Sequence, residues 1–471
     1  MSIDLAARDL AVFWHPCSQM RDYHDFPPLE VVGARGARIR VRDAAAPGGA
    51  REILDAISSW WCKALGHGHP RLAAALGAQL AAFEHVITAN TTSAPLVSLC
   101  ERLLAAANGA PPAAWAAGAA PGRRPGHFGK VFLGDSGSTA VEIALKMALQ
   151  AQAQRGQRGR TRIAALANGY HGETVGALSV GDLDLYAAPY RPLMFEALKI
   201  GGLPYRRGPD DPRWLDAGAE WPAIQAALDA AAGELAAVIY EPVLQAAGGM
   251  QLYSPDLLRR LRAWADGHGV YLIADEIASG MGRLGAMLAS HLVPGALPDF
   301  ALLSKGLTGG FLPLSAVLTT DEVYGLFEAD YQAGRAFLHS NTYTGNALGV
   351  AVAAAVLDVF AGDEILARVA AAGPRLRAAL GEVARARRPA LGEVRGCGMV
   401  AAVELRGRDA GPLDPKRRTG YAVYREAVRR GALLRPLGDT MYLFPPLTVT
   451  TDEIDEMAAI LGDSIDAVLG R

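Results

Sequence analysis

The chain has 471 residues, with 46 Lys and Arg against 48 Asp and Glu for a net charge of −2. That balance excludes a global basic field for nucleic acid or an anionic membrane. A hydrophobic content of 51% against 20% charged residues excludes a disordered chain, and the length allows about two to four domains with a core that needs no disulfides.

The first ten residues, MSIDLAARDL, carry charges where a secretory leader needs an apolar stretch. Ala44–Ala50 is expected as a loop. Leu72, Leu76, Leu80 and Phe83 recur at helical spacing, which predicts a helix over Pro70–Glu84, and Ser93–Ala107 is a second helical stretch. The Ala-, Pro- and Gly-rich span Ala110–Gly126, whose only charges are Arg123 and Arg124, is expected as a poorly ordered surface loop without chemistry. Short apolar strands then alternate with helices. Strands are predicted at Lys130–Gly134, Arg162–Ala167, Ala236–Tyr240, Val270–Ala274 and Phe300–Leu303, and helices at Ala140–Gln150 and Pro255–Gly267. Continuous apolar strands of this kind mean a mainly parallel α/β sheet covered on both faces. From about residue 350 the chain reads as helical, then as short strands near Val394–Leu405 and Leu433–Phe444, a smaller α+β unit.

The apolar run Ala347–Leu357 is too short to cross a bilayer, so no membrane contact is expected. The four cysteines, Cys17, Cys62, Cys100 and Cys397, form no CxxC pair and have no His at zinc-finger spacing. They are expected as free thiols in a reducing cytoplasm, with no metal site.

Groups that do chemistry in such sheets sit just beyond the carboxyl ends of the strands. Asp275 and Lys305 both occupy that place. A lone lysine after a strand is ordinarily a surface residue, and a lone aspartate there is ordinarily a cap. Together they fit pyridoxal phosphate: a lysine with its pKa lowered by burial holds the aldehyde carbon, and an acid keeps the pyridine nitrogen protonated. Asp135–Thr139 follows a strand and opens a helix, where backbone N–H groups attract phosphate. Such Gly-Ser turns are also ordinary helix caps. Tyr170, in the Gly-flanked segment Asn168–Thr174, can stack on a pyridine ring. His171 beside it is read as structural.

The strings Ile273–Arg283 (IADEIASGMGR), Ser304–Gly310 (SKGLTGG) and Thr342–Asn346 (TYTGN) resemble the signatures of the class III pyridoxal-phosphate aminotransferases. The resemblance runs from about residue 10 to 465. It implies a fold type I α/β enzyme with active sites at the interface of a homodimer. It also implies a small domain built from both chain ends: residues 1–68 and 346–471 around a large cofactor-binding domain of residues 69–345. A narrower resemblance, to the biotin-pathway branch of that family, rests on Trp14–Met20, Ser58–Trp61 (SSWW), Ala167–Thr174, Glu241–Met250, Arg435–Gly438 and Tyr442–Pro446. It implies 8-amino-7-oxononanoate as amino acceptor and S-adenosylmethionine as donor, with lysine as the other donor used among relatives.

By this resemblance Lys305 is the Schiff-base lysine and proton shuttle, and Asp275 is the partner of the pyridine nitrogen. Gly137 and Ser138 bind the phosphate, joined by Thr342 from the other subunit, and Asn341 contacts the cofactor. Tyr170 stacks on the ring, and Gln245 lies near the phenolic oxygen. Trp60, Trp61, Tyr170 and Ser340 contact substrate, and Arg435 clamps its distal carboxylate. Cys17 stands where some members have a tyrosine that reaches the substrate. Two other readings stay open: an ω-amino-acid transaminase with the same lysine, aspartate and phosphate site, and a cofactor-binding protein without turnover.

Overall fold

A computed structural model describes residues 5–120, 122, 125–407 and 409–470. Its centre is a seven-stranded sheet in the order Lys130–Gly134, Ser315–Thr319, Phe300–Leu303, Tyr271–Asp275, Leu235–Tyr240, Arg162–Leu166, Leu198–Ile200. Ser315–Thr319 runs antiparallel to both its neighbours, and the other pairings are parallel. Leu235–Tyr240, Tyr271–Asp275 and Phe300–Leu303 are buried at every position. That is why they read as unbroken apolar runs and not as alternating ones. Helices Gly137–Gln154 and Asp256–His268 pack beside this sheet.

The strands Ser315–Thr319 and Leu198–Ile200 were not among the predicted elements. The second has three residues, too few for a periodic signal. The helix expected over Pro70–Glu84 ends at Ala82, because Phe83 turns extended at φ −169°. The helix expected at Ala140–Gln150 is longer, Gly137–Gln154, since Ser136 and Thr139 form a reciprocal cap that starts it early.

Both chain ends meet in a second sheet. Val31–Arg35, Arg38–Arg42 and Ala50–Asp55 are antiparallel neighbours, and Ala432–Leu433 adds in parallel with Leu433 opposite Asp55. A third, antiparallel sheet contains Arg395–Cys397, Val400–Glu404 and Thr440–Leu443. Helices Ile365–Ala386, Thr419–Arg430 and Thr451–Leu469 pack with these sheets. This is the α/β architecture with a smaller α+β part made from both chain ends. Among the described residues no helix is long and apolar enough to cross a membrane.

The span 110–126 departs from expectation, with Pro121, Arg123 and Arg124 lying outside the described residues. It is anchored by Trp115, which is 2% exposed and packs in the large core cluster with Leu99 and Leu103. The indole Nε1 donates to the Ala110 carbonyl at 2.9 Å, and Arg102 Nε donates to the Trp115 carbonyl at 2.7 Å. The Ala and Gly content masked one large side chain whose burial outweighs the entropy of ordering the segment. Trp115→Ala is expected to lower stability by about 3–5 kcal/mol, the usual cost of emptying a buried tryptophan site. Urea denaturation measures it, and a change below about 0.5 kcal/mol would show that the segment is not packed.

Candidate active site

Parallel pairing of Tyr271–Asp275 with Phe300–Leu303 places Asp275 opposite Leu302. Asp275 therefore ends its strand three residues before Lys305 in the neighbouring one, and both side chains reach the same edge of the sheet. Lys305 opens a tight turn, Lys305–Thr308, in which Gly306 cannot carry a side chain: a Cβ there would lie 2.8 Å from Met281 Cβ. Among the described residues Lys305 Nζ has no hydrogen-bond partner, and it lies 5.2 Å from the Trp61 ring centroid. Burial pulls its pKa below the ordinary lysine value, while the charges of Asp275 and Glu241 oppose the shift. A nucleophilic amine needs that direction.

Asp275 is 4% exposed. Its Oδ1 accepts from the Ile277 amide at 3.1 Å and its Oδ2 from His171 Nδ1 at 2.8 Å. His171 is buried, and its other ring nitrogen, Nε2, has no hydrogen-bond partner among the described residues. Glu241 ends the next strand over in the same way. Its two carboxylate oxygens accept from the amides of Tyr170 (2.9 Å) and Ala246 (3.0 Å). Burial, reinforced by the charge of Asp275, pushes its pKa up to about 8.

The segment expected to hold phosphate is the start of the 18-residue helix Gly137–Gln154. Gly137 packs on Ile277, 3.1 Å from where a Cβ would sit. Gly172, at φ +116°, brings its loop so close that a Cβ would lie 2.0 Å from Ser138 Oγ. The Ser138 hydroxyl accepts from the Glu173 amide at 3.2 Å. Gly137 and Gly172 together keep a side-chain-free cradle at the positive end of a helix.

Above this floor opens a cavity of about 1350 Å³, bordered by Ser138, Tyr170, Trp60, Trp61, Lys305 and Arg435. The Tyr170 hydroxyl donates to Glu173 at 2.9 Å, and its ring meets Tyr186 edge to face at 5.3 Å. The Trp-Trp pair divides its labour. Trp61 is 5% exposed, donates from Nε1 to the Tyr442 hydroxyl at 3.1 Å and packs on Phe444. Trp60 is 42% exposed and lies under the Arg435 guanidinium, 4.7 Å from ring to charge. Arg435 donates to the Cys17 carbonyl at 2.6 Å and has no carboxylate partner among the described residues. The turn presenting both tryptophans is left-handed at four successive non-glycine residues, Ser58 to Trp61, with φ of 51°, 44°, 69° and 72°. Each such residue costs roughly 1–2 kcal/mol, so surrounding contacts must hold the turn.

Gln245 is fully buried and does not border the cavity. Its Nε2 donates to the Ala167 carbonyl at 2.7 Å, and its Oε1 accepts from Tyr205 (2.8 Å) and Asn168 (3.3 Å). Ser340, Asn341 and Thr342 are not brought to this cavity within one chain. They lie beside His85, whose Nε2 donates to the Thr342 carbonyl at 3.0 Å. Sequence reading missed His171, Glu241 and Glu173. The signal for Glu241 was present, since it is an acid at the end of an apolar strand, as Asp275 is. No local signal marks His171, whose partner lies 104 residues away.

The residues fit pyridoxal phosphate. A free amine, a buried acid and a glycine-lined helix start share one edge of the sheet, and an orphaned imidazole nitrogen lies beside the acid. The Asp275 carboxylate can hold a proton at a ring nitrogen, and His171 fixes its orientation.

The chain matches the family described as aminotransferase class-III over residues 21–465. It is 36% identical over 466 residues to the adenosylmethionine-8-amino-7-oxononanoate aminotransferase of Helicobacter pylori, covering 98% of each chain. It is 38% identical to the enzyme of that name from Synechococcus elongatus, covering 97% of this chain and 98% of the other. Among solved structures, the enzyme of that name from Methanocaldococcus jannaschii superposes with a TM-score of 0.85 at 30% identity, covering 98% of both chains. An amine transaminase from an uncultivated Pseudomonas species superposes with a TM-score of 0.83 at 32% identity, again over 98% of both. With that match across nearly the whole chain, and with lysine, acid and phosphate cradle at one sheet edge, this protein belongs to the class III aminotransferases.

Proposed function

We propose that the protein transfers an amino group to the 7-keto carbon of 8-amino-7-oxononanoate, giving 7,8-diaminononanoate for biotin synthesis. The donor is S-adenosylmethionine, and the two half-reactions alternate in one site. Pyridoxal 5′-phosphate supplies an electron sink that stabilises the carbanion next to the nitrogen. The chain's own residues do the rest. Lys305 Nζ removes and returns the proton at the substrate carbon, which its lowered pKa favours. Asp275 holds a proton on the ring nitrogen. Gly137 and Ser138 hold the phosphate at the helix start, and the Tyr170 ring covers the site.

The observation that carries the acceptor's identity is the Arg435–Trp60 pair on the cavity wall. Trp60 offers an apolar face to an aliphatic chain, and Arg435, with no carboxylate partner among the described residues, can take the terminal carboxylate through two parallel hydrogen bonds. Ser340, Asn341 and Thr342 reach the site from a second copy of the chain, so the active unit is a homodimer. The four free cysteines accord with a place in the cytoplasm.

Product formation from 8-amino-7-oxononanoate, run in parallel with S-adenosylmethionine, lysine and β-alanine, tests the reading. Diaminononanoate with S-adenosylmethionine is expected. Product with lysine alone would change the donor. No product from any donor, with spectral turnover by β-alanine, would make the protein an ω-amino-acid transaminase. Arg435→Ala is expected to raise the KM for the keto acid about 10–100-fold, the worth of a charge-assisted pair. Initial rates at varied acceptor measure it, and an unchanged KM would remove Arg435 from the site.

A further inference from the structure

The left-handed turn that carries Trp60 and Trp61 contains no glycine, so something must hold it. The carboxylate of Asp55 is wholly buried at the end of strand Ala50–Asp55. Its Oδ1 accepts from the amides of Ile57 (3.3 Å) and Ser59 (3.0 Å). Its Oδ2 accepts from the Ser59 hydroxyl (2.7 Å) and from His67 Nε2 (2.8 Å). The two oxygens thus take four donors, two of them from Ser59, the second residue of the turn. His67 is itself fixed by a reciprocal backbone pair with Gly36, at 3.0 and 2.8 Å, across which Gly66 can have no Cβ. On the other side, Ser58 Oγ donates to the Phe444 carbonyl at 2.7 Å.

We propose that Asp55, with Ser59 and His67, is a positioning clamp that locks the left-handed turn and so sets where Trp60 meets Arg435 on the cavity wall. Ser59, His67 and Asp55 are not a nucleophile, base and acid in relay. The serine hydroxyl donates to the carboxylate at 2.7 Å, and the histidine presents to that same oxygen the nitrogen that also lies 3.4 Å from Ser59 Oγ, so the carboxylate and not the imidazole takes the serine proton's hydrogen bond. Asp55 satisfies the amides that a left-handed turn cannot pair internally. Without it, Trp60 loses its fixed direction and the acceptor loses a preformed wall, which is paid as affinity and not as chemistry.

The inference rests on the acceptor-binding role proposed above for Trp60 and Arg435, and its test reads the two separately. Asp55→Asn and the milder Ser59→Ala are made in the parent holoenzyme and in Trp60→Ala. The fluorescence difference between each protein and its Trp60→Ala counterpart, taken without substrate, isolates Trp60. The clamp predicts that this difference spectrum moves toward solvent-exposed tryptophan in both variants. It also predicts a KM for the acceptor raised about tenfold with kcat within about twofold, and less than a twofold further change in the Trp60→Ala background. An unchanged Trp60 spectrum, or an equal KM effect with and without Trp60, would overturn the clamp. Absence of acceptor turnover by the parent enzyme, with the spectral shift present, would overturn the acceptor assignment and leave the clamp standing. Should Asp55→Asn fail to fold, Ser59→Ala decides alone.

Discussion

Lys305→Ala is expected to abolish transamination, a loss of more than about 10⁴-fold, because one side chain is both the point of cofactor attachment and the proton carrier. No neighbour can substitute. Among the described residues bordering the cavity Lys305 is the one lysine, and Lys63 is engaged elsewhere, donating to the Gly310 carbonyl at 2.8 Å and lying against Phe311. The fold is expected to survive, since Lys305 makes no hydrogen bond there and its charge is disfavoured by burial. That disfavour has a sign that can be checked. The unfolded chain binds this proton more readily than the folded one. Stability of the cofactor-free protein therefore gains a contribution as pH rises from the lowered value toward the ordinary 10.5. Lys305→Met removes that slope. Single-turnover absorbance with donor reads the activity, and urea denaturation at two pH values reads the slope. Turnover at the parent rate by Lys305→Ala would place the active site elsewhere.

Asp275→Asn is the second large effect, expected to lower kcat about 10²–10³-fold with the fold retained. The amide has nearly the shape of the carboxylate and can still accept from the Ile277 amide or from His171 Nδ1. It cannot carry the negative charge that holds a proton on a ring nitrogen at this buried position. Losing one preorganised electrostatic partner in such a place is worth that much. The mutation is expected to act on kcat more than on KM, since a proton kept on the ring nitrogen matters most where negative charge develops on the reacting carbon. Steady-state kinetics at saturating donor and acceptor measure the split. An unchanged kcat would mean that Asp275 serves only to seat His171.

Much of this site is legible in the sequence because parallel sheets have a simple rule. Strands buried on both faces are unbroken apolar runs, and the first one or two polar residues after each mark the active edge. Asp275, Lys305 and Glu241 all follow it, although only the first two were singled out. The helix start at Gly137 is legible for a similar local reason, because Ser136 and Thr139 cap it within one turn. Trp115 shows where composition misleads: fourteen Ala, Pro and Gly residues around one tryptophan do not make a loose loop when the indole has a core to enter.

The sequence by itself determined most of the buried strands, though not Ser315–Thr319, the helices to within a turn and which residue types stand at the strand ends, since each depends on neighbours a few positions away. Tertiary structure alone decided the partnerships. His171 turns toward Asp275, Asp55 receives both Ser59 and His67, and Arg435 reaches back 418 residues to the Cys17 carbonyl. It also decided that four consecutive non-glycine residues adopt left-handed geometry at Ser58–Trp61. Local preference opposes that conformation. It persists only because strand Ala50–Asp55, paired with Ala432–Leu433, delivers the buried carboxylate, while the Phe444 amide donates to the Ala56 carbonyl at 2.7 Å and so brings the Phe444 carbonyl to the turn. Long-range pairing of this kind leaves no periodic trace in the sequence, because its energy comes from hydrogen bonds between positions far apart along the chain.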